Sequence, residues 1–221
     1  HRYLHLSIRR QRQMCIRDSR LPEMVTNQRR GRWAQCFSSS LSGKTLLIIG
    51  VGHIGHAVAR WAKSVGLNVL GIRRSGKPRR WVDEMYTAAE LQTILPRADF
   101  VLISAPHTTE TDQLMGAGEL DLMKAGAGLV NYSRAGLVDY EALRVRLNKG
   151  ELSAVLDVFT PEPLPKHSLL WEASNLLITP HCSSDDESYY TPRTLDLVFE
   201  NARRLIQGKP LHNRVSRRLQ Y

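Results

Sequence analysis

From Leu21 onward, short runs of consecutive apolar residues alternate with longer segments in which apolar positions recur every three or four residues. The apolar runs are 45–49 (TLLII), 68–72 (NVLGI), 100–104 (FVLIS), 128–132 (GLVNY), 153–157 (SAVLD) and 176–179 (LLIT). They are short and largely without alternation, as strands covered on both faces are. The intervening HAVARWAKSV, TAAELQTIL, GELDLMKAG and DYEALRVRLNKG carry helical patterns. Ahead of them, LPEMVTNQRRGRW reads as a helix with Pro22 early and Gly31 near its end. Alternation of this kind predicts an α/β fold built on a doubly wound parallel sheet.

Composition narrows the class. A hydrophobic fraction of 42% and a charged fraction of 24% over 221 residues are those of a globular chain with a sizeable core, which excludes a disordered one. No run approaches the roughly 18 apolar residues of a membrane span, and the first residues lack the apolar stretch of a secretory signal. Cys15, Cys36 and Cys182 stand far apart and form no Cys-x-x-Cys pair, so neither a metal site nor a disulfide framework is expected. A cytoplasmic location fits a reducing compartment.

The net charge of +10 is unevenly placed. Arg2, Arg9, Arg10, Arg12, Arg17 and Arg20 face only Asp18 in the first 20 residues, so half of the excess lies there. This segment has no apolar periodicity and no helix-start signal. Its MCIRDS string, residues 14–19, resembles a translated sequencing-library adapter, and residues 1–20 are therefore expected to be a non-native segment. The alternative is an arginine-rich targeting peptide or nucleic-acid arm. The expected organisation is 1–20 non-native, 21–182 a dinucleotide-binding domain, and 183–221 a segment returning to a second domain.

The first apolar run leads into GVGHIGHAVARW, where Gly50, Gly52 and Gly55 form G-x-G-x-x-G between a strand and a helix. The first glycine permits a tight turn, the second a close approach to a pyrophosphate, and the third close helix-to-strand packing. The helix start then offers N–H groups to the phosphates. About 20 residues on, where an NAD site places a carboxylate, stand Arg73, Arg74 and Ser75, with Lys77 behind them. Guanidiniums suit a 2′-phosphate. NADP(H) is the expected cofactor, with NAD(H) as the alternative.

In the second half, Arg134, Asp157, Glu162 and His181 follow the ends of candidate strands. Ligands of open parallel sheets bind beyond those ends. Taken singly, each residue reads as a surface cation, a loop acid or a loop histidine. Together, LPEMVTNQRRGRW, GVGHIG, APHTTET, VNYSRAGLVD, LDVFTPEPLP and NLLITPH resemble, in order and spacing, the D-isomer-specific 2-hydroxyacid dehydrogenase family. The resemblance runs from about Leu21 to Val215. It implies that Arg134 binds the substrate carboxylate and polarises its carbonyl, and that Glu162 pairs with His181. It also implies that His53, Ile54, Ala105, Tyr132 and Asp157 lie beside the cofactor, that the substrate is a small 2-keto or 2-hydroxy acid, and that the protein is a homodimer. The arginines after the second strand resemble those of NADPH-preferring glyoxylate and hydroxypyruvate reductases. The residue types suit the chemistry: a guanidinium anchors an anion, an imidazole exchanges a proton near neutrality, and a carboxylate stabilises the imidazolium.

Three features depart from the family pattern. Ala135 stands where glycine usually follows the arginine. Cys182 and Ser183 replace an apolar and a small residue after the histidine, which predicts a more polar rim. Nothing before Leu21 resembles the substrate-binding half, so the chain reads as truncated. Two other classes stay open: a non-catalytic, NAD(P)-sensing protein like the family's transcriptional corepressors, and a nucleic-acid binder using residues 1–20.

Overall fold

Each of the six apolar runs becomes a strand of one parallel sheet. The computed structural model describes residues 24, 27–35, 40–183 and 190–216. The expected non-native segment 1–20 lies outside the described residues, as does much of the first expected helix, of which residues 27–29 are helical and Gly31 turns at φ +61°. The strands are β1 (Thr45–Ile49), β2 (Asn68–Ile72), β3 (Glu84–Tyr86), β4 (Phe100–Ile103), β5 (Ala127–Asn131), β6 (Leu152–Leu156) and β7 (Leu176–Ile178). They run in the order β3-β2-β1-β4-β5-β6-β7, every pair parallel. Strands β1 and β2 match the sequence reading to the residue, and the other four shift or shorten by one.

Alternate residues of each strand feed two cores, one on each side of the sheet. Leu47 and Ile49 of β1 pack with Leu70, Val101 and Leu129 on one face, while Leu46 and Ile48 pack with Val69, Phe100 and Val130 on the other. Helix α1 (His53–Ser64) covers the second face with Gly55, Val58, Ala59 and Ala62, spaced to form one buried stripe of small residues. Burial of both faces is why the runs read as uninterrupted apolar stretches.

Strand β3 went unpredicted because an exposed Glu84 and half-buried Met85 and Tyr86 at a sheet edge carry no apolar run. Its edge is charged: Arg97 clasps Glu84 at 2.6 Å and holds that carboxyl below its ordinary value. The helix expected over TAAELQTIL is broken into a 3-10 turn, helix α2 (Leu91–Ile94) and a second 3-10 turn containing Pro96. Two further helices follow: α3 (Ala117–Leu122), which ends before the last residues of the expected GELDLMKAG stretch, and α4 (Tyr140–Asn148), capped by Asp139 through the N–H groups of Glu141 and Ala142.

The paired ends Ile49 with Ile72, Ile49 with Ile103, Ile103 with Asn131, Asn131 with Leu156 and Leu156 with Ile178 set the strands' carboxyl termini level along one edge. The order reverses between β1 and β4, which opens the crevice where such sheets bind ligands. The chain divides into two compact units after Ser183. The second unit contains helix α5 (Tyr190–Ile206), none of whose residues is buried; its tail folds back, with Asn201 exchanging hydrogen bonds with His212 and Arg204 donating to Pro210 O. Among the described residues no helix is long and apolar enough to cross a membrane.

Candidate functional site

At the switch point the glycine turn is fixed by contact between backbones. Gly50 adopts φ +98°, and a Cβ there would lie 2.4 Å from Ala105 N, at the end of β4. A Cβ on Gly55 would meet Gly50 O at 2.4 Å, in the place where helix and strand touch. Ser104 Oγ donates to that same carbonyl at 2.7 Å, tying β4 to the turn. Gly52 differs: a Cβ there would meet nothing within 4 Å, so its backbone faces open space. It precedes α1 without a side-chain cap, and the first turn, with His53 and Ile54, carries no acid. Uncapped N–H groups, no negative charge and open space fit a dinucleotide pyrophosphate.

The turn beyond β2 carries Arg73 and Arg74. It closes by Gly76 N–H donating to Arg73 O, with Gly76 at φ +60°. Arg73 makes no side-chain hydrogen bond or ion pair among the described residues, whereas Arg74 is drawn to Glu110. Arg73 is half-buried and Arg74 exposed, just past the end of β2, where the adenosine end of a dinucleotide lies in folds of this type.

A cavity of about 580 Å³ gathers Arg134, Glu162 and His181 on its walls, with His107, Tyr140 and Phe159. Each of the three follows a different strand, β5, β6 or β7. His181 Nδ1 lies 2.7 Å from Glu162 Oε2, and Phe159 N–H donates to Glu162 Oε1 at 2.7 Å. Both hydrogen bonds, that from His181 foremost, hold the Glu162 carboxyl below its ordinary value, and Arg134 adds to the effect. Arg134 donates to Ser133 O at 2.7 Å, which leaves most of its forked donors for an anion.

The backbone that presents these side chains is tied from beneath. Asn131, wholly buried at the end of β5, donates to Arg134 O at 3.0 Å and to Tyr140 Oη at 3.1 Å, and accepts from Ser133 N–H at 3.1 Å. Tyr140 Oη in turn donates to Val158 O at 2.8 Å, next to the residue that grips Glu162. Burial pushes the Tyr140 hydroxyl far up, so it stays a neutral donor. His181 stands at φ +49°, in the left-handed region a histidine adopts at some cost. Its turn is held by Asp157, also wholly buried, which accepts from Thr179 Oγ1 at 2.5 Å, Cys182 N–H at 3.1 Å and Ser183 N–H at 3.1 Å.

Several expectations are refined by these placements. Ala135 begins a right-handed 3-10 turn, Ala135–Leu137, which alanine enters without strain. Cys182 and Ser183 do not line the cavity, and Ser183 is buried, so they do not make its rim polar; His107, paired with Asp112 at 2.6 Å, does line it. Of the residues expected beside the cofactor, Ala105 touches the glycine turn, His53 and Ile54 lie in the open first turn of α1, and Tyr132 and Asp157 are turned inward. Sequence reasoning missed Asn131, Tyr140 and His107. The first two announce themselves only as polar residues at a strand end and a helix start, and His107 only as one letter of APHTTET.

Comparison with known proteins agrees with this fold. The profile of the D-isomer specific 2-hydroxyacid dehydrogenase, NAD binding domain, matches residues 14–183. Glyoxylate/hydroxypyruvate reductase B of Enterobacter sp. (strain 638) is 37% identical over 173 residues, covering 75% of this chain and 53% of that protein. D-3-phosphoglycerate dehydrogenase of Methanocaldococcus jannaschii is 33% identical over 202 residues, 89% of this chain and 38% of that one. The chain thus spans about half, or less, of the length of such relatives. Among solved structures, a D-isomer specific 2-hydroxyacid dehydrogenase from Xanthobacter autotrophicus Py2 in complex with NADPH and MES superposes with a TM-score of 0.88 at 32% identity, covering 98% of this chain and 88% of that one. The NADPH-dependent glyoxylate/hydroxypyruvate reductase of Sinorhizobium meliloti, in complex with NADP and sulfate, gives a TM-score of 0.90 at 25% identity, covering 100% and 71%. With residues 14–183 matched by the family profile and its backbone superposing on solved members, this chain belongs to the D-isomer-specific 2-hydroxyacid dehydrogenase family.

Proposed function

We propose that the chain is the nucleotide-binding part of an oxidoreductase that passes a hydride between NADP(H) and a small 2-keto or 2-hydroxy acid such as glyoxylate or hydroxypyruvate. The observation that carries this reading is the meeting of Arg134, Glu162 and His181 on one cavity along the edge that holds the glycine turn. The nicotinamide, when bound, supplies or accepts the hydride at the substrate's second carbon. Arg134 anchors the substrate carboxylate and draws charge toward the carbonyl oxygen. His181 gives a proton to that oxygen as alkoxide develops, and takes it back in the oxidation. Glu162, held ionised, keeps the ring oriented.

The cofactor reading rests on Gly50, Gly52 and Gly55 at the pyrophosphate, with His53 and Ile54 in the open first turn beside it, Ala105 against the glycine turn, and Tyr132 and Asp157 buried beneath the same sheet edge. Arg73 and Arg74 would take the 2′-phosphate, which favours NADP(H) over NAD(H). Relatives solved with NADPH or NADP support this preference. The non-catalytic alternative is not favoured, because all three reactive residues are present. A cytoplasmic homodimer remains part of the proposal. The apolar positions Leu195, Val198, Phe199 and Leu205 exposed on α5 are of the kind that an interface covers.

The test pairs two measurements on one preparation: calorimetric titration with NADP+ and NAD+, and NADPH oxidation in the presence of glyoxylate or hydroxypyruvate. NADP+ should bind this chain. Turnover should be slow, since closure by a facing domain supplies much of the positioning in such reactions. Folded protein that binds neither nucleotide would refute the cofactor reading, and brisk turnover would show that no facing half is needed.

A further inference from the structure

Arg74 is already engaged by an anion of the chain itself. Its Nη2 lies 2.6 Å from Glu110 Oε2, a partner 36 residues away in the loop that leaves β4. Glu110 is 68% exposed and Arg74 39%, so the pair forms on the open surface of the crevice. The loop itself is tied: Thr108 N–H donates to Thr111 Oγ1 at 2.8 Å, Thr111 Oγ1 donates to Pro106 O at 2.7 Å, and His107 pairs with Asp112. Glu110 is therefore presented to Arg74 by a fixed turn on the other side of the switch point.

We propose that Glu110 is an internal competitor for the cofactor's 2′-phosphate and so sets how strongly NADP(H) is preferred to NAD(H). This rests on the reading of Arg73 and Arg74 as the phosphate site. A 2′-phosphate carries about −1.5 to −2 charges near neutrality, and it cannot share Arg74 with a carboxylate without repulsion. NADP(H) must exchange one anion for another at this guanidinium, and gains less than it would from an unpaired one. NAD(H) brings no such group and leaves the pair in place. Arg73, unpaired among the described residues, supplies the preference that Glu110 then moderates.

The experiment is calorimetry on the 221-residue chain with NADP+ and NAD+ at low ionic strength, with circular dichroism confirming the fold of each variant. Glu110→Gln should tighten NADP+ binding about three- to fivefold, the scale of an exposed ion pair, and leave NAD+ unchanged. Glu110→Ser should do the same. In an Arg74→Ala background the Glu110→Gln change should be silent toward NADP+, since the competition is for Arg74 alone. Weaker NADP+ binding by Glu110→Gln would mean that the carboxylate positions Arg74, and overturns the proposal; so does an unchanged affinity. The underlying phosphate site fails on a separate result: an Arg73→Ala, Arg74→Ala double variant with the original NADP+ to NAD+ ratio.

Discussion

The glycine turn and the reaction cavity occupy one edge of the same sheet and are built by opposite means. At the turn the geometry is main chain against main chain: Gly50 against Ala105, and Gly55 against the carbonyl of Gly50. In the cavity it is side chains delivered by three separate loops and aligned by buried polar groups, Asn131 beneath Arg134 and Asp157 beneath His181. A site made of backbone tolerates almost no added atom, but its ligand contacts survive most changes elsewhere. Side-chain sites tolerate truncation structurally and lose their chemistry at once.

That contrast can be broken or sharpened by substitution. Gly50→Ala should have the largest effect, because the methyl meets backbone and the residue's φ is positive. It should cost about 3 kcal/mol or more, lowering the melting temperature by roughly 6–12 °C, and abolish NADP+ binding. A variant that melts with the parent would break the comparison at its stronger end. His181→Ala should leave the melting temperature and NADP+ affinity nearly unchanged while turnover of glyoxylate or hydroxypyruvate falls about a hundredfold; a similar loss of nucleotide binding would erase the distinction. Arg73→Asp should weaken NADP+ about tenfold and spare NAD+, and equal losses for both would remove the phosphate reading.

Glu162→Gln should act through pH. The hydrogen bonds from His181 and Phe159 hold the Glu162 carboxyl below its ordinary value, so the ion that orients the ring persists as pH falls and is lost only below the usual carboxylate range. The amide of the variant cannot ionise, so keto-acid reduction should fall about tenfold at neutral pH and lose the acid-side decline that protonation of Glu162 causes in the parent. A superimposable profile would detach Glu162 from the chemistry. His107→Leu should be the mildest. Its pair with Asp112 is exposed at the rim, and steady-state rates should change by about twofold or less. A loss approaching that of His181→Ala would make the two histidine–carboxylate pairs equivalent.

The backbone site was the more legible of the two. G-x-G-x-x-G between an apolar run and a helical stripe states its own geometry, because only glycine satisfies the contacts at its first and third positions, Gly50 and Gly55, and the arginines after β2 follow at a set distance. Arg134, Glu162 and His181 were legible only jointly, through motif order. Nothing in the local sequence of His181 announces a left-handed backbone, or a carboxylate 24 residues earlier that supports the turn. Tyr140 and Glu110 act through partners 18 and 36 residues away along the chain, which no periodicity encodes. In the fold, runs covered on both faces were read nearly residue by residue, and β3, a charged three-residue edge, was not.

The Asp157 carboxylate lies wholly out of solvent and receives two amides from the chain just past His181. The entropy of confining that histidine is therefore lost during folding, before any substrate arrives, and the encounter itself has little left to immobilise on this side of the cavity. Such a bracket should also be visible without ligand. The amides of Cys182 and Ser183, though next to an exposed histidine, should exchange with deuterium on the time scale of the sheet's own opening, as if they were part of a strand.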